Sequence, residues 1–350
     1  MKLLIITQKV DNQDDVLGFM HRWIEQFAAQ CEQVTVICLF EGRHALPANV
    51  RVFSLGKEKG VSRLEYLVRF FGIIWRERAA YDSVFVHMNQ IYVLLGGLLW
   101  RALGKRVALW YAHGAVSRSL WVAEKIAHTI FTSTNSGFRL PSKKVRVVGQ
   151  GIDTDYFCPA PDRAHEGFRI IVVGRISPIK DYETLIFAIE RLRISNEDLS
   201  LEIIGGAGLP EQEKYLEQLK KMVEEKKLGD VIKFVGPCAN NDIVSRLQGA
   251  DLFVSTSNTG SLDKAVLEAM SCGIPTLVCN EALVEVFGPY ASQLMFGKKD
   301  SEDLAEKILF FKKIDYLERL KLGIELRDIV INKHNLSNLI RKVLAEYRLL

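Results

Sequence analysis

Two stretches in the second half of the chain carry residue types suited to an anionic ligand. The first is Gly174-Arg175-Ile176-Ser177-Pro178-Ile179-Lys180, which follows the apolar run Ile170-Ile171-Val172-Val173. A glycine directly after a strand lets the backbone approach a ligand closely. Two cations five residues apart, Arg175 and Lys180, suit the clamping of a diphosphate. Cations on a loop are more often simply solvated, so this pair gains meaning only beside a second feature. That feature runs from Ser255 to Pro275 (STSNTGSLDKAVLEAMSCGIP) and reads as strand end, small polar loop and helix. Backbone amides of such a loop point at an anion, and Glu268, one to two turns into the helix, presents a carboxylate to vicinal hydroxyls. Asp263 and its small polar neighbours read equally well as a helix cap.

The elements that must position these residues follow an alternating pattern. Short β-rich runs are expected over 3–7, 34–39, 52–54, 84–86, 107–110, 129–132 and 145–148, with amphipathic stretches over 17–30 and 63–80. The pattern restarts after Cys158-Pro159-Ala160-Pro161-Asp162. Strands are then expected over 168–173, 201–204, 232–234, 252–255 and 276–279, and helices over 182–193, 211–226, 241–248 and 264–272. Near-continuous apolar strands joined by helices mean parallel sheets covered on both faces. The fold class is therefore α/β, with two doubly wound Rossmann-like domains over 1–157 and 165–334. A helix over 335–350 is expected at the end, with packing back on the first domain as one attachment. In such sheets ligands bind at the carboxyl ends of the strands, which puts the expected site in a cleft between the domains.

In order and separation, VVGRISPIKDYETLI, IIGGAG, IKFVGPCANNDI and ADLFVSTSNTGSLDKAVLEAMSCGIPTLVC resemble the nucleotide-sugar domain of glycosyltransferase family 4. The resemblance covers about residues 168–280 and implies the GT-B fold. It implies that Arg175 and Lys180 hold the donor diphosphate and neutralise charge building on the leaving group. It implies that Glu268, as the second glutamate of a Glu-x7-Glu motif, binds the ribose hydroxyls. Gly174, Gly260, Ser261, Leu262 and Asp263 then lie on the donor side, and the backbone near Val235-Gly236-Pro237 edges the nucleobase. One position departs from the pattern: eight residues before Glu268, where a glutamate is expected against the donor sugar, stands Gly260. Asp263 is the nearest acidic residue able to substitute, from a different place on the turn. Further implications are retention of anomeric configuration, with the leaving diphosphate assisting the incoming hydroxyl, and no need for a divalent metal. There is no Asp-x-Asp motif and no Ser-His-Asp or Cys-His set, so no metal and no other cofactor is expected beyond the nucleotide-sugar donor.

The first half matches only in architecture and a few residues. The loop after its first strand reads Gln8 to Gly18, longer and more acidic than the family's glycine-rich loop. Gly18 stands where the resemblance asks for a glycine. Asp14 and Asp15 read either as partners of acceptor hydroxyls or as a solvated pair that starts a helix. His113, in Trp110-Tyr111-Ala112-His113-Gly114, follows a strand and precedes a glycine. It is a candidate donor to the transferred sugar or positioner of the acceptor, against a histidine satisfied within its own loop. His87 is the weaker candidate. Gln150-Gly151-Ile152-Asp153 resembles the family's hinge loop.

Composition bounds the rest. The 350 residues are 48% hydrophobic and 25% charged, with a net charge of +4, which suits a globular protein and does not ask for nucleic acid. Residues 1–155 hold 20 Lys and Arg against 13 Asp and Glu, whereas the remainder holds 26 against 29. The six cysteines have no metal-ligand spacing and read as reduced, buried thiols of a cytoplasmic protein. The uncharged stretch 83–100 is interrupted by His87, Asn89 and Gln90, and so reads as strand plus buried helix rather than a membrane span. RLEYLVRFFGIIWRER over 63–78 is a basic amphipathic helix. It suits the anionic inner face of a membrane, and equally a core edge with snorkelling arginine stems. A nicotinamide-dependent oxidoreductase is excluded because the third glycine of the fingerprint, read from Gly206, falls on Glu211. The sequence thus points to a retaining transfer from a nucleoside-diphosphate sugar to a glycan or lipid-linked acceptor in envelope or surface polysaccharide synthesis. A catalytically silent nucleotide-sugar binder is the alternative.

Overall fold

The computed structural model describes residues 1–160, 167–195 and 197–349. They divide into two compact units: Met1–Asp153 with Ala239–Asn241 and His334–Leu350, and Thr154–Cys238 with Asp242–Lys333. The division falls after Asp153, ahead of the Pro-marked break. Pro161 and Asp162 of that break lie outside the described residues.

The first unit holds seven parallel strands: β1 (Lys2–Val10), β2 (Gln33–Glu41), β3 (Val50–Ser54), β4 (Ser83–His87), β5 (Arg106–Trp110), β6 (Thr129–Thr132) and β7 (Val145–Val147). They lie in the order β3-β2-β1-β4-β5-β6-β7, so the winding reverses between β1 and β4. Its helices are α1 (Phe19–Ala28), α2 (Arg63–Arg76), α3 (Ile91–Ala102) and α4 (Arg118–Ile126). Right-handed crossovers put α1 on one face and α2, α3 and α4 on the other. Two buried clusters correspond, one around Trp23, Phe27 and Phe85, the other around Phe70, Tyr92, Trp100 and Leu120. Burial on both faces is why the strands are so apolar; all five residues of β4 are buried.

Four expectations need correction. Strand β1 continues through Gln8, Lys9 and Val10, with Lys9 opposite Phe40 and Val10 opposite Glu41, so the loop begins at Asp11. Helix α2 ends at Arg76 rather than running to residue 80. The helix expected to be buried over 92–100 leaves Leu98 exposed. No helix among the described residues is long and apolar enough to cross a membrane. Nor are all six cysteines buried: Cys158 and Cys238 are only half covered.

The second unit holds five parallel strands, β8 (Phe168–Val173), β9 (Leu199–Ile204), β10 (Ile232–Gly236), β11 (Leu252–Ser255) and β12 (Thr276–Val278), in the order β10-β9-β8-β11-β12. Around them lie α5 (Tyr182–Ile194), α6 (Pro210–Glu225), α7 (Asn240–Gln248), α8 (Lys264–Ser271), the short α9 (Val284–Phe287) and α10 (Ala291–Leu294), α11 (Ser301–Lys313) and α12 (Tyr316–His334). Its winding reverses between β8 and β11.

The final helix, α13 (Leu336–Leu349), packs on α1 and buries Leu339, Ile340, Val343 and Leu344 in the cluster that holds Trp23 and Phe27. The seam is closed by backbone. Ile152 N–H donates to the His334 carbonyl at 2.7 Å, and Leu336 N–H to the Ile152 carbonyl at 2.8 Å. Beside it the Trp23 indole donates to the Gly151 carbonyl at 3.0 Å. Gly151 has φ +73°, and a Cβ there would sit 2.5 Å from the Trp23 ring, so only glycine fits.

Candidate functional site

The chemistry-bearing residues of the second unit collect where its winding reverses, which is where doubly wound sheets take ligands. The loop after β8 carries Gly174, Arg175 and Lys180; the loop after β11 carries Gly260, Ser261, Leu262 and Asp263. The two are tied together. Lys180 Nζ donates to Asp263 Oδ2 at 2.7 Å, Thr256 Oγ1 donates to the Lys180 carbonyl at 2.5 Å, and Asn258 N–H donates to the Ile179 carbonyl at 3.0 Å. The Lys180 and Asp263 side chains are mostly covered, with 18% and 12% of their surface exposed. Arg175, by contrast, is exposed and makes no hydrogen bond or ion pair among the described residues. One cation is thus held in place and the other left open.

Asp263 does three things at once. It caps α8 by accepting from Ala265 N–H at 3.3 Å, accepts from Ser255 Oγ at 3.3 Å, and holds Lys180. Gly260 sits in the left-handed region at φ +64°, where a glutamate side chain is disfavoured. The departure from the expected motif is therefore built into the backbone as well as the side chain. Asn280 Nδ2 holds the loop from below by donating to the Ser261 carbonyl at 2.7 Å. The Ser261 hydroxyl is buried without a hydrogen-bond partner among the described residues, and Leu262 is almost fully covered. Glu268 is buried in the second turn of α8, with Lys264 Nζ 3.8 Å from its Oε1.

Glycines let these loops run side by side. A Cβ on Gly205 would fall 2.0 Å from the Gly174 carbonyl oxygen, and Gly205 has φ +146°. Gly205 N–H donates to the Gly236 carbonyl at 2.9 Å and Ile176 N–H to the Gly206 carbonyl at 3.0 Å. Tyr182, whose hydroxyl burial holds protonated far above neutral pH, donates to the Gly174 carbonyl at 3.1 Å. Val235, at the end of β10, is half-covered. Beside it a groove of about 880 Å³ is lined by Gly205, Gly206, Ala207, Gly236 and Pro237 together with α6. Gly205, Tyr182 and Asn280 were not anticipated as parts of the site. The run Gly205-Gly206-Ala207-Gly208 was read as part of the family resemblance and as a failed dinucleotide fingerprint, with no site role given to its glycines.

In the first unit the loop at the reversal of winding is locked by Asp14. Its Oδ1 accepts from the amides of Val16 and Leu17 at 2.9 and 2.6 Å, and its Oδ2 from Lys9 Nζ at 2.5 Å. Burial opposes ionisation of Asp14, but these hydrogen bonds outweigh it and hold the carboxyl below its ordinary range. Asp14 therefore closes the turn, while Asp15 is exposed. Gly18 is buried at the start of α1 in right-handed conformation, φ −54°, so its backbone does not demand glycine. His113 lies exposed after β5. Its Nδ1 accepts from Ala115 N–H at 3.0 Å, which leaves the proton on Nε2 with no hydrogen-bond partner among the described residues. His87 is buried edge-on between Phe19 and Trp23, a packing position.

Residues 159–327 match the family described as glycosyl transferases group 1. Mannosylfructose-phosphate synthase of Agrobacterium fabrum is 30% identical over 179 residues, 48% of this chain and 39% of that protein. D-inositol 3-phosphate glycosyltransferase of Corynebacterium jeikeium is 30% identical over 155 residues, 40% of this chain and 36% of that protein. The chain thus aligns with well under half the length of these relatives. Among solved structures, Anabaena Alr3699/HepE in complex with UDP superposes with a TM-score of 0.81 at 17% identity, over 100% of both chains. Sucrose-phosphate synthase from Thermosynechococcus elongatus superposes with a TM-score of 0.80 at 16% identity, over 99% of this chain and 98% of that one. The match to glycosyl transferases group 1 is thus confined to residues 159–327, and the two parallel-sheet, Rossmann-like domains have the GT-B fold of the structural neighbours.

Proposed function

We propose that the protein is a retaining glycosyltransferase that moves a sugar from a nucleoside-diphosphate donor to a hydroxyl of a glycan or lipid-linked acceptor, in envelope or surface polysaccharide synthesis. The observation that carries the reading is the pairing at the reversal of winding: Lys180 pinned by Asp263 at 2.7 Å, in the same loop as Arg175, which forms no ion pair among the described residues. A cation already held beside the phosphate site is positioned to meet a diphosphate before charge builds on the leaving group. The family match over residues 159–327 and the neighbour solved with UDP support the same donor class.

In this reading Lys180 and Arg175 bind the diphosphate and neutralise it as the glycosidic bond breaks. Glu268 takes the ribose hydroxyls, and the backbone of Gly260, Ser261 and Leu262 lines the phosphates and the transferred sugar. The backbone at Val235 edges the base. His113 supplies an Nε2–H donor on the acceptor side, to which Asp15 and Gly18 of the loop after β1 are also assigned. No side chain is assigned as a covalent nucleophile; the leaving diphosphate takes the proton of the incoming hydroxyl on the face it vacates. Turnover in this scheme proceeds without a divalent metal and survives chelation.

The test is calorimetric titration with UDP, GDP, ADP, CMP and NAD, with Arg175→Ala as control. Micromolar binding of one nucleoside diphosphate, lost in the variant, is the expected result. Binding to none of them overturns the donor assignment. Binding without transfer to any acceptor leaves the silent binder, a reading favoured only by Gly260 standing where the motif has a glutamate.

A further inference from the structure

The helical layer formed by α2, α3 and α4 has an outer side that the transfer chemistry does not use. Leu64, Val68, Phe71 and Trp75 recur at helical spacing on α2 and form one stripe. Opposite it, Phe70, Ile73 and Ile74 of the same helix are buried in the core. The stripe faces solvent: Leu64 is 70%, Val68 65% and Trp75 52% exposed. The neighbouring helices add Leu98, 69% exposed, and Trp121, 54% exposed. An exposed apolar stripe repeating along one helix face marks a contact face rather than the scattered apolar residues normal to any surface.

The charge around the stripe identifies what it meets. Residues 63–126 contain nine Lys and Arg against four Asp and Glu. The carboxylates on and beside the helices are answered locally: Glu65 by Arg69, Glu77 by Arg51 and Arg76, and Glu124 by Lys125. Arg63, Arg78, Arg101 and Arg118 are exposed and form no ion pair among the described residues. Both exposed tryptophans carry a cation on the ring, Arg78 over Trp75 at 4.4 Å and Lys125 over Trp121 at 5.5 Å. Tryptophan beside cation at the edge of an apolar stripe is the combination that sits at a headgroup boundary. A second copy of this face would set unpaired arginines against one another, whereas an anionic surface neutralises them.

We infer that the outer side of α2, α3 and α4 is a docking surface for an anionic lipid bilayer, with the Leu64–Trp75 stripe entering the headgroup boundary and the arginines binding lipid phosphates. The inference stands apart from the transfer site and survives the loss of that reading.

The full chain is sedimented with phosphatidylcholine vesicles, with and without phosphatidylglycerol, and its tryptophan fluorescence is read with brominated lipid in the bilayer. Trp23, Trp100 and Trp110 are buried, so quenching reports Trp75 and Trp121. Expected are binding that requires phosphatidylglycerol and falls with salt, quenching that drops in Trp75→Phe, and a loss of about tenfold or more in Arg63→Glu/Arg118→Glu. Leu64→Ser/Val68→Ser, at exposed positions, should lose binding with an unchanged circular dichroism spectrum. No binding to phosphatidylglycerol vesicles overturns the inference, as does binding that is unquenched or unchanged in both double variants. A concentration-dependent dimer abolished by Leu64→Ser/Val68→Ser also overturns it, by giving the face to a second copy.

Discussion

Replacing each member of the Lys180–Asp263 pair separates what the cation does from what the carboxylate does. If Lys180 binds phosphate, Lys180→Ala deletes a charge-assisted hydrogen bond, worth about 1.5–3 kcal/mol, and weakens nucleoside-diphosphate binding about 10- to 150-fold. Asp263→Asn acts in the other direction. Asparagine caps a helix as well as aspartate does, so the bond from Ala265 N–H survives. What disappears is a negative charge that occupies Lys180 at 2.7 Å and faces the incoming phosphates. At about 4 Å in a water-like medium such a charge is worth about 1 kcal/mol, so Asp263→Asn should tighten the bare nucleoside diphosphate about fivefold.

The assay is calorimetry with the diphosphate found to bind, beside urea unfolding of each variant. In Lys180→Ala the Asp263 carboxylate keeps Ser255 and Ala265 as partners, so its stability should fall only about 1 kcal/mol and the fold should persist. The reasoning is refuted by Lys180→Ala binding within about twofold of wild type. It is equally refuted by Asp263→Asn weakening binding about tenfold, because the carboxylate would then be holding ligand rather than competing for the cation.

Gly205→Ala puts a Cβ 2.0 Å from the Gly174 oxygen at φ +146°, so the two loops must part; a loss of about 3 kcal/mol in urea unfolding is expected. Gly208→Ala, with only Gln212 Oε1 at 3.7 Å, should be near neutral, and equal effects would be evidence against the close-approach argument. Asp14, held below its ordinary 3.8 by Lys9 and two amides, contributes stability that is present above the unfolded value and lost as pH falls through the lower folded one. The urea midpoint of wild type should therefore exceed that of Asp14→Asn at pH 7, the two converging in acid; a gap unchanged down to pH 2 would contradict the linkage. Gly260→Glu forces a left-handed glutamate and should cost about 1–2 kcal/mol, while full stability would mean that the loop readily takes another conformation.

What could be seen in the sequence was whatever burial writes into composition. Ile170-Ile171-Val172-Val173 and Ser83-Val84-Phe85-Val86 read as strands because both of their faces are covered, and the two sheets followed from them. Helix α4, RSLWVAEKI, escaped notice because it buries Leu120, Ala123 and Glu124 while Trp121 and Val122 lie open, which blurs the apolar period. The last helix was expected over 335–350 with packing on the first domain as one attachment, but its partner there, α1, was not named. The ion pair at the centre of the site joins residues 83 apart, and no local pattern encodes that distance. Asp14 was ambiguous for the opposite reason: its partners are its own neighbours, yet an acidic residue before a helix has the same appearance whether it closes a turn or meets a ligand.

The missing glutamate and the crowded aspartate bear on each other. Both oxygens of Asp263 are engaged in the unliganded protein, Oδ1 by Ala265 N–H and Oδ2 by Lys180 and Ser255, so it is not free to hold a sugar hydroxyl. A diphosphate that draws Lys180 away releases Oδ2, and the carboxylate then becomes available just where Gly260 provides none. Phosphate recognition would in that case have to precede sugar recognition, and the benefit of the sugar would depend on the charge of Asp263. The intact nucleotide sugar should then bind wild type more tightly than its nucleoside diphosphate does, and Asp263→Asn should erase that margin while leaving the diphosphate bound. A margin that persists in Asp263→Asn would assign the sugar to the backbone of Gly260, Ser261 and Leu262 alone, and would make the absent glutamate a true loss of contact rather than one taken over by its neighbour.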